Sequence, residues 1–245
     1  MKLSIIIPVF NEEKTIIKLL DKVEKVMIPD VEKEIIVVDD GSTDATALKI
    51  SNLKSPASQR GEQISNLKIF NHKKNQGKGT AVRTGIENAT GDYIVIQDAD
   101  LEYDPNDIKK LLDPIRKKRA QVVYGTRLNR MPNLAKDEKT PLFLIHYLGN
   151  RFLSLITSIL YGQWITDMET CYKLFPKKAL KNIRLNSRGF NFEPEITAKL
   201  LKQNYKILEI PISTKPRGYE EGKKLNTIKD GTIALWTLLK YRFID

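Results

Sequence analysis

At 245 residues, with 41% hydrophobic and 29% charged side chains, the chain has the composition of a folded globular protein large enough for a substantial core. A single cysteine, Cys171, excludes an internal disulfide framework, and a formal net charge of +11 favours partners that carry phosphate: nucleotides, nucleic acid or an anionic membrane surface. Neither a zinc-binding spacing nor an aromatic RNA-binding motif accompanies that charge, so no nucleic-acid partner is expected.

Residues 3–9 form a nearly continuous apolar run, the pattern of a strand buried on both faces of a parallel sheet. Because this run starts at the N-terminus, no signal peptide is read. The longest later apolar stretch, residues 152–161, is shorter than the roughly 20 residues a membrane span needs, so a cytoplasmic protein is expected. Helical spacing of Ile16, Leu19, Leu20, Val23 and Val26 follows, ended by Pro29. Residues 34–38 are a second buried strand running into Asp39-Asp40-Gly41-Ser42, and a helix follows, with Ser42 or Asp44 as its cap. Residues 51–66 read as a surface loop in which Ile-Ser-Asn-Leu-Lys occurs twice, at 50 and at 64. A short strand over 67–70 leads to Gly77-Lys78-Gly79. Without the spacing of a P-loop, this reads as a tightly packed entry to a helix over 81–89, from which Lys78 is able to approach a nucleotide.

The run Tyr93-Ile94-Val95-Ile96-Gln97 ends in Asp98-Ala99-Asp100-Leu101-Glu102. On an extended backbone residues i and i+2 share a face, so these three carboxylates are expected to converge on one cation, with Mg2+ or Mn2+ as the match for hard oxygen ligands. A helix over 106–119 is expected to be kinked or divided by Pro114. The chain continues with a strand over 121–124, the triplet Gly125-Thr126-Arg127 and a mobile loop over 128–141. An apolar helix over 142–161 contains His146, read as structural, and Arg151. A strand over 172–175 and a helix from about Pro176 come next. A helix follows Gly189-Phe190-Asn191-Phe192-Glu193-Pro194-Glu195, then a strand over 205–212, a basic turn over 215–224 and a last helix over 227–241. Trp164 and Trp236 read as anchors of the core or of a membrane interface.

Strand–helix alternation predicts right-handed crossovers and a mostly parallel α/β sheet flanked by helices. Asn11-Glu12, Asp39-Asp40 and Asp98-Asp100 each follow a strand, so they are expected in one crevice at the carboxyl edge. The chain is read as a single domain with a more variable part after residue 127.

In their order, Pro8-Val9-Phe10-Asn11-Glu12, Val37-Val38-Asp39-Asp40-Gly41-Ser42, Gly77-Lys78-Gly79, Asp98-Ala99-Asp100-Leu101-Glu102, Gly125-Thr126-Arg127 and Asp167-Met168-Glu169-Thr170-Cys171-Tyr172-Lys173 resemble the family-2 glycosyltransferases of GT-A (Rossmann-like) fold. Among these they look most like dolichyl- or polyprenyl-phosphate sugar synthases. The resemblance implies an inverting, metal-dependent transfer of a hexose from a UDP- or GDP-sugar to a lipid phosphate, with residues 1–127 as the nucleotide-sugar-binding half and 128–245 as the acceptor-binding half. It implies that Pro8, Phe10 and Glu12 line the nucleotide pocket and that Val37 and Asp39 meet the base. Asp98 and Ala99 would touch the nucleotide sugar, and Asp100 would hold the metal on the donor diphosphate. Glu102 stands where such synthases often carry Gln. Arg127, Arg217 and Lys223 match cationic positions near phosphates, with Arg151 as a looser match. Asp167 would be the general base for a hydroxyl acceptor, or would organise the site for a phosphate acceptor, which is already anionic. Alternatives that remain are the same chemistry on a hydroxyl acceptor and a non-catalytic protein that binds nucleotide sugars or anionic surfaces. The apolar stretches at 142–161 and 233–244 read as core, with weak peripheral attachment to a membrane as the competing reading.

Overall fold

The computed structural model describes residues 1–53, 64, 66–128, 141–215 and 227–244. Arg217, Lys223, most of the repeat-bearing loop and nearly all of the loop expected to be mobile lie outside these residues.

Seven strands form one sheet in the order β3-β2-β1-β4-β6-β5-β7. The first four in space are β3 (Leu67–Asn71), β2 (Glu32–Asp39), β1 (Lys2–Val9) and β4 (Tyr93–Ile96), all mutually parallel. Val, Ile and Leu fill both faces of β1 and β2, because helices cover the sheet on both sides and β-branched side chains pack well on a pleated surface. Helices α1 (Ile16–Lys25), α2 (Thr46–Asn52), α3 (Lys78–Asn88) and α4 (Asp107–Arg116) make the crossovers. Pro114 does not divide α4. It lies in the last turn, so it forgoes one i−4 hydrogen bond with little helix left to disturb, and the helix ends two residues later.

Beyond β4 the sheet departs from simple alternation. Strand β6 (Lys173–Pro176) inserts antiparallel between β4 and β5 (Val122–Thr126), and β7 (Ile207–Pro211) then pairs parallel with β5. After β6 the expected helix is a single 3-10 turn, Lys177–Leu180. Helices α5 (Pro141–Tyr161), α6 (Phe192–Lys202) and α7 (Thr227–Phe243) pack together on this side.

Helix α5 corrects the sequence reading on length. Its stretch Phe143–Tyr161 has a mean hydropathy of 1.3 over 19 residues, long and apolar enough to cross a membrane by length and composition. One face buries Leu153, Thr157 and Ser158; the other exposes Ile145, Leu148, Phe152, Leu155 and Ile159.

Candidate active site

Strand order reverses between β1 and β4, and ligands of open α/β sheets bind at such a point, beyond the carboxyl ends of the strands. There a cavity of about 450 Å³ opens, lined by Pro8, Val9, Phe10 and Glu12 after β1, by the residues 98–100 and 102–103 after β4, and by Arg127 after β5. The two turns after β1 and β2 are stitched together. The Asn11 N–H donates to Ser42 Oγ (2.9 Å), the Thr43 N–H to Asn11 Oδ1 (2.8 Å) and the Glu12 N–H to Thr46 Oγ1 (2.8 Å). Asn11 takes a left-handed φ of 49°, which turns the chain sharply into the cavity wall.

Of the residues expected to meet a base, Val37 is fully buried within the sheet, and the Asp39 carboxylate accepts the Ser42 hydroxyl. Neither lines the cavity. Asp40 does, with its carboxylate accepting the N–H groups of Gln76 and Gly77 and contacting His72. This binds the end of β2 to the entry of α3. That entry is tight: Gly77 has φ 95°, and a Cβ there would come within 2.4 Å of the Arg188 carbonyl oxygen.

Asp98, Asp100 and Glu102 all border the cavity, but they do not form the expected three-carboxylate cluster. Among the described residues no group of three His, Cys, Asp or Glu is placed to hold an ion. The extended alternation that would have gathered them is broken at Leu101, which has φ 64°. Asp98 Oδ1 is held at 2.8 Å by the Lys78 ammonium, and Asp100 Oδ1 accepts the Glu102 N–H at 3.0 Å. These donors fit a hard cation bound by one or two carboxylates with the remainder from water and diphosphate, the usual Mg2+ arrangement, rather than a closed protein cage.

Arg127 is fixed by a carboxylate that does not reach the cavity. Asp167 is fully buried; its Oδ2 accepts the backbone N–H and Nε of Arg127 and its Oδ1 accepts an Nη, each at 2.8 Å. Behind it, Glu209 on β7 accepts the N–H groups of Thr166 (2.8 Å) and Asp167 (2.9 Å). Burial would lower the Arg127 pKa, but Asp167 raises it well above its ordinary value, so the guanidinium stays charged. Both Asp167 oxygens are thus engaged by Arg127, whose orientation they fix. Tyr103 closes the other side, with its ring 5.9 Å from the Arg127 guanidinium and 4.9 Å from the Tyr172 ring.

Other side chains complete the lining, Lys78 among them as expected for a residue near the nucleotide. His146, read as structural, and Asn150 of α5 also line it, and neither was expected at a site. Lys78 bridges Asp98 and Glu193, at 2.8 Å each. Burial alone would lower its pKa, and those carboxylates raise it above the ordinary value. Glu169 and Glu193 also face the cavity; burial, reinforced by the Glu193 charge, pushes the Glu169 carboxyl up to about 8. The Asp167-x-Glu169 spacing repeats that of Asp98-x-Asp100 and was the available signal; nothing local marked Glu193. Trp164 and Trp236 are 67% and 65% exposed, so they are not core anchors, and neither lines the cavity.

A parallel sheet that opens at its switch point onto a carboxylate-rimmed crevice, with a rigidly held arginine at its edge, defines the class as a GT-A glycosyltransferase. The chain belongs to glycosyl transferase family 2, whose profile matches residues 4–184. Among curated relatives, the UDP-N-acetylglucosamine–dolichyl-phosphate N-acetylglucosaminyltransferase of Methanococcus voltae is 30% identical, covering 91% of this chain and 90% of that protein. The dodecaprenyl-phosphate galacturonate synthase of Rhizobium johnstonii is 29% identical over 79% of this chain, which spans about half (53%) of that protein's length. Dolichol-phosphate mannosyltransferase of Pyrococcus furiosus is 29% identical over 98% of this chain and 64% of its own. In fold, the chain matches glucosyl-3-phosphoglycerate synthase of Mycobacterium tuberculosis, solved with Mn2+, UDP and glucosyl-3-phosphoglycerate. The TM-score is 0.71 at 19% identity, over 100% of this chain and 81% of that one.

Proposed function

We propose that this glycosyltransferase moves a hexose from a UDP- or GDP-sugar to a polyprenyl phosphate, with inversion at the anomeric carbon and with Mg2+ or Mn2+ on the donor. The observation that carries the reading is that α5 serves two surfaces at once. His146 and Asn150 face the cavity, while Ile145, Leu148, Phe152, Leu155 and Ile159 form an exposed apolar strip. The adjoining α7 also exposes Ile228, Ile233, Trp236 and Phe243, with Lys240 and Arg242 near its end. A lipid-linked acceptor needs such a juxtaposition: a polar reaction chamber beside a face able to rest on an anionic membrane. The names of the relatives point the same way.

The acidic lining explains the need for a cation. Glu12, Asp40, Asp98, Asp100, Glu102, Glu169 and Glu193 face the cavity against Lys78 and Arg127, and Lys78 is already paired with two of those carboxylates. A bound divalent cation would offset the repulsion of a diphosphate and stabilise the charge of the leaving nucleoside diphosphate. Asp98 and Asp100 would hold it, and Arg127, locked by Asp167, would meet phosphate oxygens. An acceptor phosphate oxygen forms a bond to the anomeric carbon as the bond from that carbon to the donor phosphate oxygen breaks, and the electron pair leaves with the nucleoside diphosphate. The acceptor is already ionised near neutral pH, so no proton has to be removed, in keeping with the engagement of Asp167 elsewhere.

The test is a panel of UDP- and GDP-hexoses, with and without Mn2+ or Mg2+, against polyprenyl phosphate, diacylglycerol and free sugars. Product on the lipid phosphate alone, abolished by EDTA, is expected. Product on a hydroxyl acceptor, or on none, overturns the reading.

A further inference from the structure

Among the described residues, two carboxylate oxygens in the cavity find no partner: Glu169 Oε1 and Glu193 Oε2 are shielded from solvent and make no hydrogen bond there. Glu193 is only 3% exposed, and its other oxygen takes Lys78. A buried acceptor left unsatisfied is costly and uncommon in a native fold. Both side chains stand on backbone that a single buried network fixes. Lys173 Nζ donates to the carbonyls of Met168 (2.6 Å) and Thr170 (2.7 Å), on either side of Glu169, and lies 4.3 Å from the centre of the Tyr124 ring. The Tyr124 hydroxyl is 3.1 Å from Thr197 Oγ1, which donates to the Glu193 carbonyl at 2.7 Å. The two carboxyls are therefore preorganised for something that is not protein.

The chemistry of that ligand follows from what the oxygens lack. A diphosphate offers only acceptors, which cannot satisfy an unserved acceptor oxygen. Hydroxyl groups donate and accept without adding charge, so they satisfy the pair whichever protonation state Glu169 holds. Residues 8–12 close and follow β1, whereas Glu169 precedes β6 and Glu193 opens α6, and β4 stands between β1 and β6 in the sheet; a nucleotide on the β1 side leaves the β6 side for the part of the donor beyond its phosphates.

We infer that Glu169 and Glu193 form the subsite that reads the hydroxyls of the donor hexose. This rests on the nucleotide-sugar reading above. The pair discriminates among sugars through positions on the ring, and it contributes nothing to the bare nucleoside diphosphate.

Calorimetric titration of the full chain with Mn2+ tests it, using UDP, GDP and their hexose conjugates on wild type, Glu169→Gln, Glu169→Ala and Glu193→Gln, with near-ultraviolet circular dichroism as the check on folding. The expected result is a loss of tenfold or more for the sugar nucleotide in the variants, against less than twofold for the matching diphosphate. A folded variant that binds both ligands as well as wild type, or loses both equally, overturns the inference alone. A wild-type protein that binds diphosphates but gains nothing from any attached hexose also overturns it. Wild type that binds neither overturns the donor reading on which it stands.

Discussion

At the amino-terminal foot of the sheet, Glu34 on β2 is buried and fully served. It accepts the hydroxyls of Ser4 and Thr90 and the N–H groups of Thr90 and Gly91, and it pairs with Lys68 at 2.9 Å. Across the sheet at its carboxyl rim, Glu169 and Glu193 are buried with an oxygen apiece unserved. Burial alone would raise the carboxyls of Glu34 and Glu169. At the foot the donors outweigh it and bring Glu34 down to about 2, whereas at the rim the neighbouring Glu193 reinforces burial and Glu169 rises to about 8. The same residue type is thus spent on stability at one end and withheld from it at the other, as expected where a fold holds a site open for a ligand.

Substitutions at the rim should separate from those at the foot. Asp100→Asn should lower kcat/KM by about 10³-fold, roughly 4 kcal/mol of transition-state stabilisation, with little change in Tm. A Tm drop of many degrees would show that the turn after β4 is structural and would blur the contrast. Arg127→Ala crosses the divide, because it removes a cavity cation and strands Asp167 in the interior; denaturant titration should show about 3 kcal/mol of lost stability alongside lost activity. Glu34→Ala should cost about 2 kcal/mol, since several buried donors lose their acceptor, yet the protein that remains folded should keep its kcat.

The pH dependence of stability has opposite signs at the two ends. The stabilisation from Glu34 is present above its unfolded value of 4.5 and is lost as pH falls towards 2. Glu169 keeps its proton in the folded state from pH 4.5 to about 8 while the unfolded chain gives it up, so its contribution makes stability fall as pH rises through that window. Glu169→Gln should flatten that decline in urea titrations at successive pH values; an unchanged slope would place its source elsewhere. The smallest effect on stability, within about 0.5 kcal/mol, is expected from Trp236→Ala, since its side chain is exposed. The same variant should weaken sedimentation with anionic vesicles.

Much of the donor half was legible because its signals are local. Apolar runs of four to eight residues ending in Asn11-Glu12, Asp39-Asp40 and Asp98-Asp100 place those turns on one edge of a parallel sheet, whatever the rest of the chain does. The antiparallel insertion of β6 was not legible. A short buried strand reads alike in either direction, and its orientation depends on the long connection before it. That insertion brings residues 167–171 to the rim and, with β7 behind them, lets Glu209 hold Asp167 and Asp167 hold Arg127.

By itself, then, the sequence determined the α/β class, the parallel half of the sheet and the family, because apolar periodicity and turn motifs act over a few residues. Only the tertiary structure decided which charges meet: Lys78 between Asp98 and Glu193, Asp167 withdrawn behind Arg127, His146 turned towards the cavity and Glu169 left with an open oxygen. A side-chain ion pair depends on a distance of a few ångströms across the fold, and only the packing of remote strands and helices sets that distance.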